Sequence, residues 1–595
     1  MNLRNFFAEL KRRNVYKVAV AYAVVGWLVM QVAATVVPAL HLSDAITSAV
    51  VILVFLGFPI ALVLAWAFEI TPEGIKLESE VVPNESITRK TGRKLIAITI
   101  GLAALAAGLF AFQHFRPSLT SLSGPAATTS AIPEKSIAVL PFDNLSRDPD
   151  NAYFSEGVQD EILTRLAQSA KLKVVSRTST ERFKSSPDSV RDIAQQLGVA
   201  NILEGSVQKE NNEVRVNVQL IKAATDAHLW ADTYDRKLTD IFAVESEIAR
   251  AVAGTLQAKL TGSAEQILAS RPTDNPEAHQ LYLRGRYFWN RRTLENLKKA
   301  IGYFNQAIEK DPSYALAYAG LADSYALLPI YGNKPPKEYI DRAIGAARRA
   351  IELDKSLAEA HTALANALVD DLQFSAAEVE FKRAIALNPN YATLHQWHGE
   401  SLQAQGRFKE ALTEIQRAHE LDPLSLIINS VYGAILDCTG RGEEAIQQLR
   451  RTIELDPSFS VAPFILGQVL EKKEDLKGAA REYEKAIAMY PHPIREAVLA
   501  GVYARTGRRS EAERILHDLT PKSQDEYVSP YALALCHLAL GDKEEALRLL
   551  EKAYDERSIQ LGGNTGSLKI DPRLDPLRGD PRFEKLLARY MEQTQ

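Results

Sequence analysis

The feature that most limits what this chain can fold into is a ruler of prolines. Pro389, Pro423, Pro457 and Pro491 stand 34 residues apart, and Lys355 keeps the same beat one step earlier. Each closes a similar phrase: Glu-Leu-Asp-Lys, Ala-Leu-Asn-Pro, Glu-Leu-Asp-Pro twice, then Ala-Met-Tyr-Pro. Twelve residues before each beat sits an alanine: Ala343, Ala377, Ala411, Ala445 and Ala479. Twenty-four before the last four stand Ala365, Gly399, Gly433 and Gly467, and eight before stand Phe381, Ile415, Leu449 and Tyr483. Small residues at fixed places let two helices approach, larger ones fill the gap, and proline ends the helix. A period of this length marks a helix–turn–helix solenoid, whose units bury their apolar faces against one another.

These residues resemble the tetratricopeptide repeat. More irregular units extend the array. Leu281-Tyr-Leu-Arg-Gly285 with Ala300, Phe304, Ala307 and Pro312 reads as an earlier unit, and Tyr318, Leu321, Ala322 and Tyr325 open the next. Gly501 with Ala512, and Ala534 with Ala546, Leu550 and Ala553, add two at the far end. The expectation is about eight helix pairs over 275–556, an all-α superhelical solenoid, closed by a polar cap over 557–595.

At 595 residues the chain has room for several domains. A net charge of −4 argues against bulk nucleic-acid binding, which needs a basic face. Cys438 and Cys536 are the two cysteines, too few and too far apart for a disulfide framework or a thiolate metal site.

Two uncharged runs, Val18–Leu40 and Ala45–Phe68, are long enough to span hydrocarbon, and Leu95–Phe112 is a third, Ala- and Gly-rich run. The expected plan is a basic cytoplasmic N-terminus (1–17), a transmembrane helical hairpin (18–68), a cytoplasmic loop (69–94), a third transmembrane helix (95–113) and a flexible linker (114–133). Lys and Arg flanking the hairpin place the N-terminus in the cytoplasm. With three spans, everything after Arg116 lies outside the cytoplasm; if the third run lies on the surface, the C-terminal part is cytoplasmic. The expected location is the bacterial inner membrane, multi-pass, with periplasmic soluble domains.

Residues 134–262 read as a small α/β domain. Ser136–Phe142 and Leu172–Ser176 are short apolar strands, Phe154–Ser169 and Val190–Leu197 have helical spacing, and Val214, Val216, Val218 and Leu220 alternate as a half-buried strand does. Lys-Ser-Ile-Ala-Val-Leu-Pro-Phe, Tyr-Phe-Ser-Glu-Gly-Val-Gln-Asp-Glu-Ile-Leu and Leu-Trp-Ala-Asp-Thr-Tyr-Asp-Arg are similar to the TolB N-terminal-like domain. Bacterial membrane proteins of this layout often carry an N-terminal winged-helix DNA-binding or class III adenylyl cyclase domain. The 17 residues before the first run are expected to hold neither.

Asp143, Asp148, Asp150 and Glu156 lack the spacing of a calcium loop, Gly562–Gly566 lacks the Lys-Ser/Thr of a phosphate loop, and Gly-x-Ser-x-Gly and His-Glu-x-x-His do not occur. The expectation is therefore a protein without catalytic residues, metal or cofactor. The tetratricopeptide resemblance implies a concave groove lined by the first helix of each pair. Carried over, its binding residues are Glu359, Thr362, Asn366, Gln396, Glu400, Gln403, Phe464 and Gln468, with Phe464 as an exposed apolar anchor. The expected partner is a protein or peptide, held by a membrane-anchored scaffold or sensor-like protein. The alternative is a regulatory subunit of a transmembrane signalling complex.

Overall fold

A computed structural model of the chain describes 132–592 except 170, 185–187, 258–270, 333, 526 and 563–566, together with two short strands and seven isolated residues before 78. The chain divides into two compact units, Met1–Ser130 and Ala131–Gln595. In the first unit, β1 (Phe68–Thr71) and β2 (Gly74–Leu77) form an antiparallel hairpin, and Tyr22 Oη donates to the Val54 carbonyl at 2.9 Å.

The membrane expectation needs correction. Among the described residues no helix is long and apolar enough to cross a membrane. This overturns the N-terminal transmembrane helices and the multi-pass inner-membrane location. Nearly all of the apolar runs at 18–68 and 95–113 lie outside the described residues, and the third lies there entirely.

The second unit opens with a mixed sheet ordered β5-β3-β6-β7-β8. Its strands are β3 (Ser136–Val139), β4 (Asp143–Asn144), β5 (Lys173–Val175), β6 (Asn201–Glu210), β7 (Glu213–Lys222) and β8 (Ala227–Lys237). β3 lies between β5 and β6, parallel to both, and β6–β7–β8 is an antiparallel meander in which Val216 faces Tyr234. All four residues of β3, Ser136 and the apolar Ile137, Ala138 and Val139, are buried, as a central strand covered on both sides requires. α1 (Ala152–Ala167) and α4 (Ile241–Thr255) cover one face, with Val214, Val216, Val218 and Leu220 beneath them. α3 (Val190–Leu197) packs Ile193 and Leu197 on the other, beside Ala138 and Ile202, while α2 (Arg177–Glu181) follows β5.

The solenoid follows as eight antiparallel pairs. They are α5/α6 (Pro276–Trp289, Leu294–Lys310), α7/α8 (Ala315–Gly332, Pro336–Leu353), α9/α10 (Ala358–Asp370, Phe374–Leu387) and α11/α12 (Ala392–Ala404, Phe408–Leu421). Next come α13/α14 (Leu426–Cys438, Gly442–Leu455), α15/α16 (Val461–Lys472, Leu476–Met489), α17/α18 (Pro493–Arg505, Arg509–Asp525) and α19/α20 (Lys543–Asp555 following Pro530–Ala539). The alanines at 343, 377, 411, 445 and 479 are fully buried, as are Phe381, Ile415, Leu449 and Tyr483. A β-carbon on Gly467 would stand 2.5 Å from the Tyr483 ring, so glycine there is a packing requirement. A second ruler runs through the backbone: Leu372, Gly406, Gly440, Glu474, Gly507 and Gly541 all have left-handed φ, one at the turn inside each pair from α9/α10 to α19/α20. α21 (Pro581–Glu592) ends the described chain.

Two glycines separate strain from packing. Gly440 has φ +82° and no atom within 4 Å of its missing β-carbon, so Gly440→Ala should cost about 1 kcal/mol from backbone strain alone. Gly467→Ala must also displace a buried ring and should cost more, roughly 1–3 kcal/mol. Denaturant midpoints followed by circular dichroism should rank them in that order, and the reverse ranking would contradict the packing described here.

Candidate functional site

The site begins at the junction between the α/β body and the solenoid. α1, α4 and α5 meet so closely that a β-carbon on Gly157 would stand 2.7 Å from Leu283. Four charged or titratable side chains are buried there. Arg165 lies 3.8 Å from Glu161 and 3.6 Å from Glu245, and donates to Ser246 Oγ at 3.2 Å. His279 lies 3.9 Å from Glu245 and shares a hydrogen bond with Tyr314 Oη at 3.1 Å. Glu245 is fully buried, and neither carboxylate oxygen has a hydrogen-bond partner. Burial pushes Glu245 up to about 8 against the pull of Arg165. It pushes Glu161 up to about 7, with Glu245 adding to the rise, and pushes His279 down to about 4. The imidazole is therefore neutral at pH 7, and its approach to Glu245 is no ion pair there.

Further along, the loops between helix pairs hold the body. Three of them close on themselves: the backbone N–H groups of Ser313, Ser356 and Ser458 donate to Oδ1 of Asp311, Asp354 and Asp456 at 2.9, 2.8 and 2.8 Å. Such Asx turns are self-sufficient. The two loops between them also reach the body, although Asn388 Oδ1 still accepts from the Asn390 N–H at 3.1 Å. Asn390 takes the serine position, and its buried amide nitrogen donates to the carbonyls of Ala167, Ser169 and Leu172 at 2.9, 3.0 and 3.1 Å, while Oδ1 accepts from Arg417 at 2.7 Å. At the next loop Asp422 accepts from Ser179 Oγ–H, and the Leu424 N–H donates to that hydroxyl at 2.8 Å. The Ser176 N–H donates to the Leu421 carbonyl at 2.8 Å. Asn390, Ser179 and Asp422 are buried, so breaking their bonds leaves an orphan polar group.

The body thus bridges one wall of the concave face and encloses a cavity of about 1140 Å³. Arg286, Trp289, Arg292, Asp323, Glu359, Tyr391, Gln396 and Asp422 from the solenoid line it opposite Asp160 and Arg177 of the body. Arg286 lies 3.7 Å from Asp160 and 3.9 Å from Asp323. The Trp289 ring carries the guanidinium groups of Arg286 and Arg292, their carbons 4.6 and 4.7 Å from its centre. Burial raises Asp323 to about 7 despite Arg286 and Arg292.

Of the eight groove residues expected from sequence, Glu359 and Gln396 line this cavity. Gln396 is buried and donates to Glu400 Oε1 at 3.0 Å. Thr362 is buried with its hydroxyl on the Ala358 carbonyl at 2.8 Å, and Gln403 is buried with its amide 3.4 Å from Cys438 Sγ. Asn366 and Gln468 are half-buried. Phe464 is not the exposed anchor expected of it. It is 3% exposed, packed against Tyr483 with ring centres 5.6 Å apart. Sequence reasoning passed over Arg286, Trp289, Arg292 and Asp323. The signals were present: a run of aromatic and basic residues at Arg286–Arg292, and one aspartate in the otherwise apolar face of α7.

The other half of the concave face holds the chain's own C-terminal segment. Arg557 meets Asp371 at 3.0 Å, Ser567 Oγ donates to the Ala404 carbonyl at 3.0 Å, and Lys569 Nζ donates to the Gln405 carbonyl at 2.8 Å. In the α/β body, Glu156 pairs with Lys184 at 3.0 Å and Arg177 at 3.7 Å.

Residues 362–425 and 439–492 match a tetratricopeptide-repeat model, and the C-terminal part of the chain carries these repeats. Residues 133–250 match the second domain of HilA/YgeH-like transcriptional regulators, a different description from the TolB-like one suggested by the motifs. A protein of Rhizobium meliloti (strain 1021) named "Putative adenylate cyclase 3" is 40% identical over 187 residues, 31% of this chain and 32% of that protein. The chain thus spans about a third of the relative it matches. Among solved structures, YrrB, described as a TPR protein with an unusual peptide-binding site, is 28% identical and covers 32% of this chain and 92% of its own, at a TM-score of 0.24. PilF of Pseudomonas aeruginosa is 20% identical, covering 35% and 94%, at a TM-score of 0.27.

Asn390→Ala should destabilise the chain by about 1–3 kcal/mol, because three carbonyls and Arg417 lose a buried partner. Ser356→Ala and Ser458→Ala, at the same repeat position in exposed loops, should stay within about 0.5 kcal/mol. Equal effects in thermal unfolding would contradict the clamp. The junction also sets a pH dependence. A carboxyl whose folded pKa is raised stabilises the fold below its unfolded pKa, and that stability is lost as pH rises through the folded value. For Glu245 the losing window ends near pH 8–9. The unfolding midpoint should fall between pH 6.5 and 9, and Glu245→Gln should reduce the fall; an unchanged profile would remove Glu245 as its source.

Proposed function

We propose that this chain is a protein-interaction module that captures a polypeptide segment of a partner in the cavity between its α/β body and the concave face of its repeats. One observation carries the reading. A repeat solenoid presents a concave surface, and here the body covers one side of it while leaving about 1140 Å³ lined by charged, amide and aromatic side chains. Such a chamber offers main-chain hydrogen bonding and side-chain pockets together, as peptide recognition requires. Glu359 and Gln396 stand in it, and Glu400 is tied to it through Gln396. In this reading the protein binds and does not catalyse.

A second reading is favoured by the relative named as a cyclase: a regulatory part that works with a separate signalling enzyme. It uses the same cavity and differs in the identity of the partner.

A photo-crosslinking residue placed at Thr393, which lines the cavity, should capture one dominant partner in living cells. The same residue at exposed Gln447 should not. Glu359→Arg together with Gln396→Ala should abolish capture from position 393. Equal capture from both positions, or capture that survives the double change, would count against the cavity as the binding site. Mass spectrometry of the captured protein decides between the two readings, a nucleotide-signalling enzyme favouring the second.

A further inference from the structure

We infer that the pairs His361–Glu380 and His395–Glu414 are proton-operated catches on the loops between helix pairs, and that the second sets how firmly the loop under the α/β body is held. This goes beyond the cavity and its occupant and depends on neither.

The geometry recurs at the repeat period. His361 of α9 has Nδ1 2.5 Å from Glu380 Oε2 of α10 and Nε2 3.2 Å from the Lys355 carbonyl. His395 of α11 has Nδ1 2.6 Å from Glu414 Oε2 of α12 and Nε2 3.0 Å from the Pro389 carbonyl. Both imidazoles are buried. A carbonyl can only accept, so Nε2 carries a hydrogen. The other nitrogen of a neutral ring is a bare lone pair, which an ionised carboxylate repels. Each pair in this geometry therefore holds one proton more than a neutral imidazole beside a free carboxylate. At the second, burial raises Glu414, but its bonds to His395 and His398 pull it down to about 2, which leaves the proton on the imidazole. The neighbouring charges belong to the same cluster. His398 Nδ1 lies 3.7 Å from Glu414 and its Nε2 3.0 Å from Glu378, which also meets Arg407 at 3.2 Å and Lys382 at 3.1 Å. Burial pulls His398 down, and its bonds to Glu378 and Glu414 more than offset this, so it stands above the ordinary histidine value.

The next unit supplies a control within the same chain. Asn429 and Gln448 occupy the repeat positions of His395 and Glu414. They make the same two bonds with amides: Asn429 Nδ2 donates to the Pro423 carbonyl at 2.8 Å, and Gln448 Nε2 donates to Asn429 Oδ1 at 2.6 Å. An amide pair does this with no titrating proton. The three loops also differ in what they hold. The loop at 354–356 closes on itself, the loop at 388–390 holds the body through Asn390, and the loop at 422–424 holds it through Asp422 and the Leu424 N–H. α12 grips the middle loop twice: Glu414 reaches the Pro389 carbonyl through His395, and Arg417 donates to Asn390 Oδ1 at 2.7 Å. Loss of the shared proton sets a carboxylate oxygen against a ring lone pair beside this grip. The raised His398 gives the cluster its direction: the hold is complete below about 6.5, the ordinary histidine value, and is lost as pH rises past it.

Three equivalent amides of the full chain report on the three loops. The N–H groups of Leu357, Tyr391 and Ser425 donate to the carbonyls of Asp354, Asn388 and Asp422 at 3.4, 3.4 and 3.3 Å. Hydrogen exchange, corrected for intrinsic rates, should show the protection of Leu357 and Tyr391 falling roughly tenfold between about pH 6 and pH 8.5, with Ser425 unchanged. His395→Asn with Glu414→Gln, which installs the next unit's pair, should keep Tyr391 protected at both pH values, whereas His395→Ala should lose the protection at both. The Leu172 amide, in the turn that Asn390 closes, should follow Tyr391 in the wild-type chain and lose that dependence in the amide variant. The converse change, Asn429→His with Gln448→Glu, should confer the fall on Ser425, and it decides the matter if the first variant does not fold. Equal falls at all three amides, or no fall at Tyr391, would overturn the catches. A Leu172 amide that keeps its pH dependence in the amide variant would overturn the link to the body.

Discussion

Among the described residues of the repeats, the carboxamide of Asn390 does something no other side chain does. It closes three main-chain carbonyls of the turn between α1 and β5 while its own oxygen is held by Arg417. Three of the five loops of this kind satisfy their own N–H groups with an Asp-x-Ser turn, and none of the three bonds the α/β body through it. The loop at Asn388–Asn390 keeps that turn and adds the bonds to the α/β body, while at Asp422–Leu424 the Leu424 N–H goes to Ser179 of the body instead. Two adjacent exceptions in a regular array are enough to fix a second domain across the concave face. The cavity exists because of them.

Buried charge makes the same junction costly. Arg165 is offered two glutamates and can neutralise one, and Glu245 has no hydrogen bond to compensate its burial. Burying an ion pair seldom stabilises a fold more than well-packed apolar residues would. What it supplies is a demand for one geometry, since a shifted α4 would part Arg165 from Glu245 and Ser246 and a shifted α5 would part His279 from Tyr314. The clamp at the loops and the charges at the junction therefore restrain the body from its two ends, and the surface between them stays open.

Much of this was legible in the residues. The 34-residue spacing, with alanine and glycine against Phe381, Leu449 and Tyr483, reported the repeats because those contacts recur in every unit. Alternation in Val214–Leu220 reported a strand with one buried face. The groove was read less well, since repeat position alone says which way a residue points and not what lies opposite it. Phe464 occupies a groove position yet packs under its own pair, and Gln403 turns to Cys438. The contacts of Asn390 with Ala167 span more than two hundred residues, and no local period carries such a pairing. The departure from Asp-x-Ser at 390 and 424 was a visible trace of it. Apolar length in the first hundred residues suggested membrane helices, and no described helix meets that requirement.

The central claim is that the α/β body is bonded to two specific inter-repeat loops. Hydrogen exchange at single-residue resolution tests it within one molecule, because Leu424 has equivalents in Ser356 and Ser458 at the same place in other loops. The amides of Leu424 and Ser176 should exchange roughly 100-fold more slowly than those of Ser356 and Ser458, since they open only when the body detaches. Exchange of all four at the same fast rate would mean that the body does not rest on these loops.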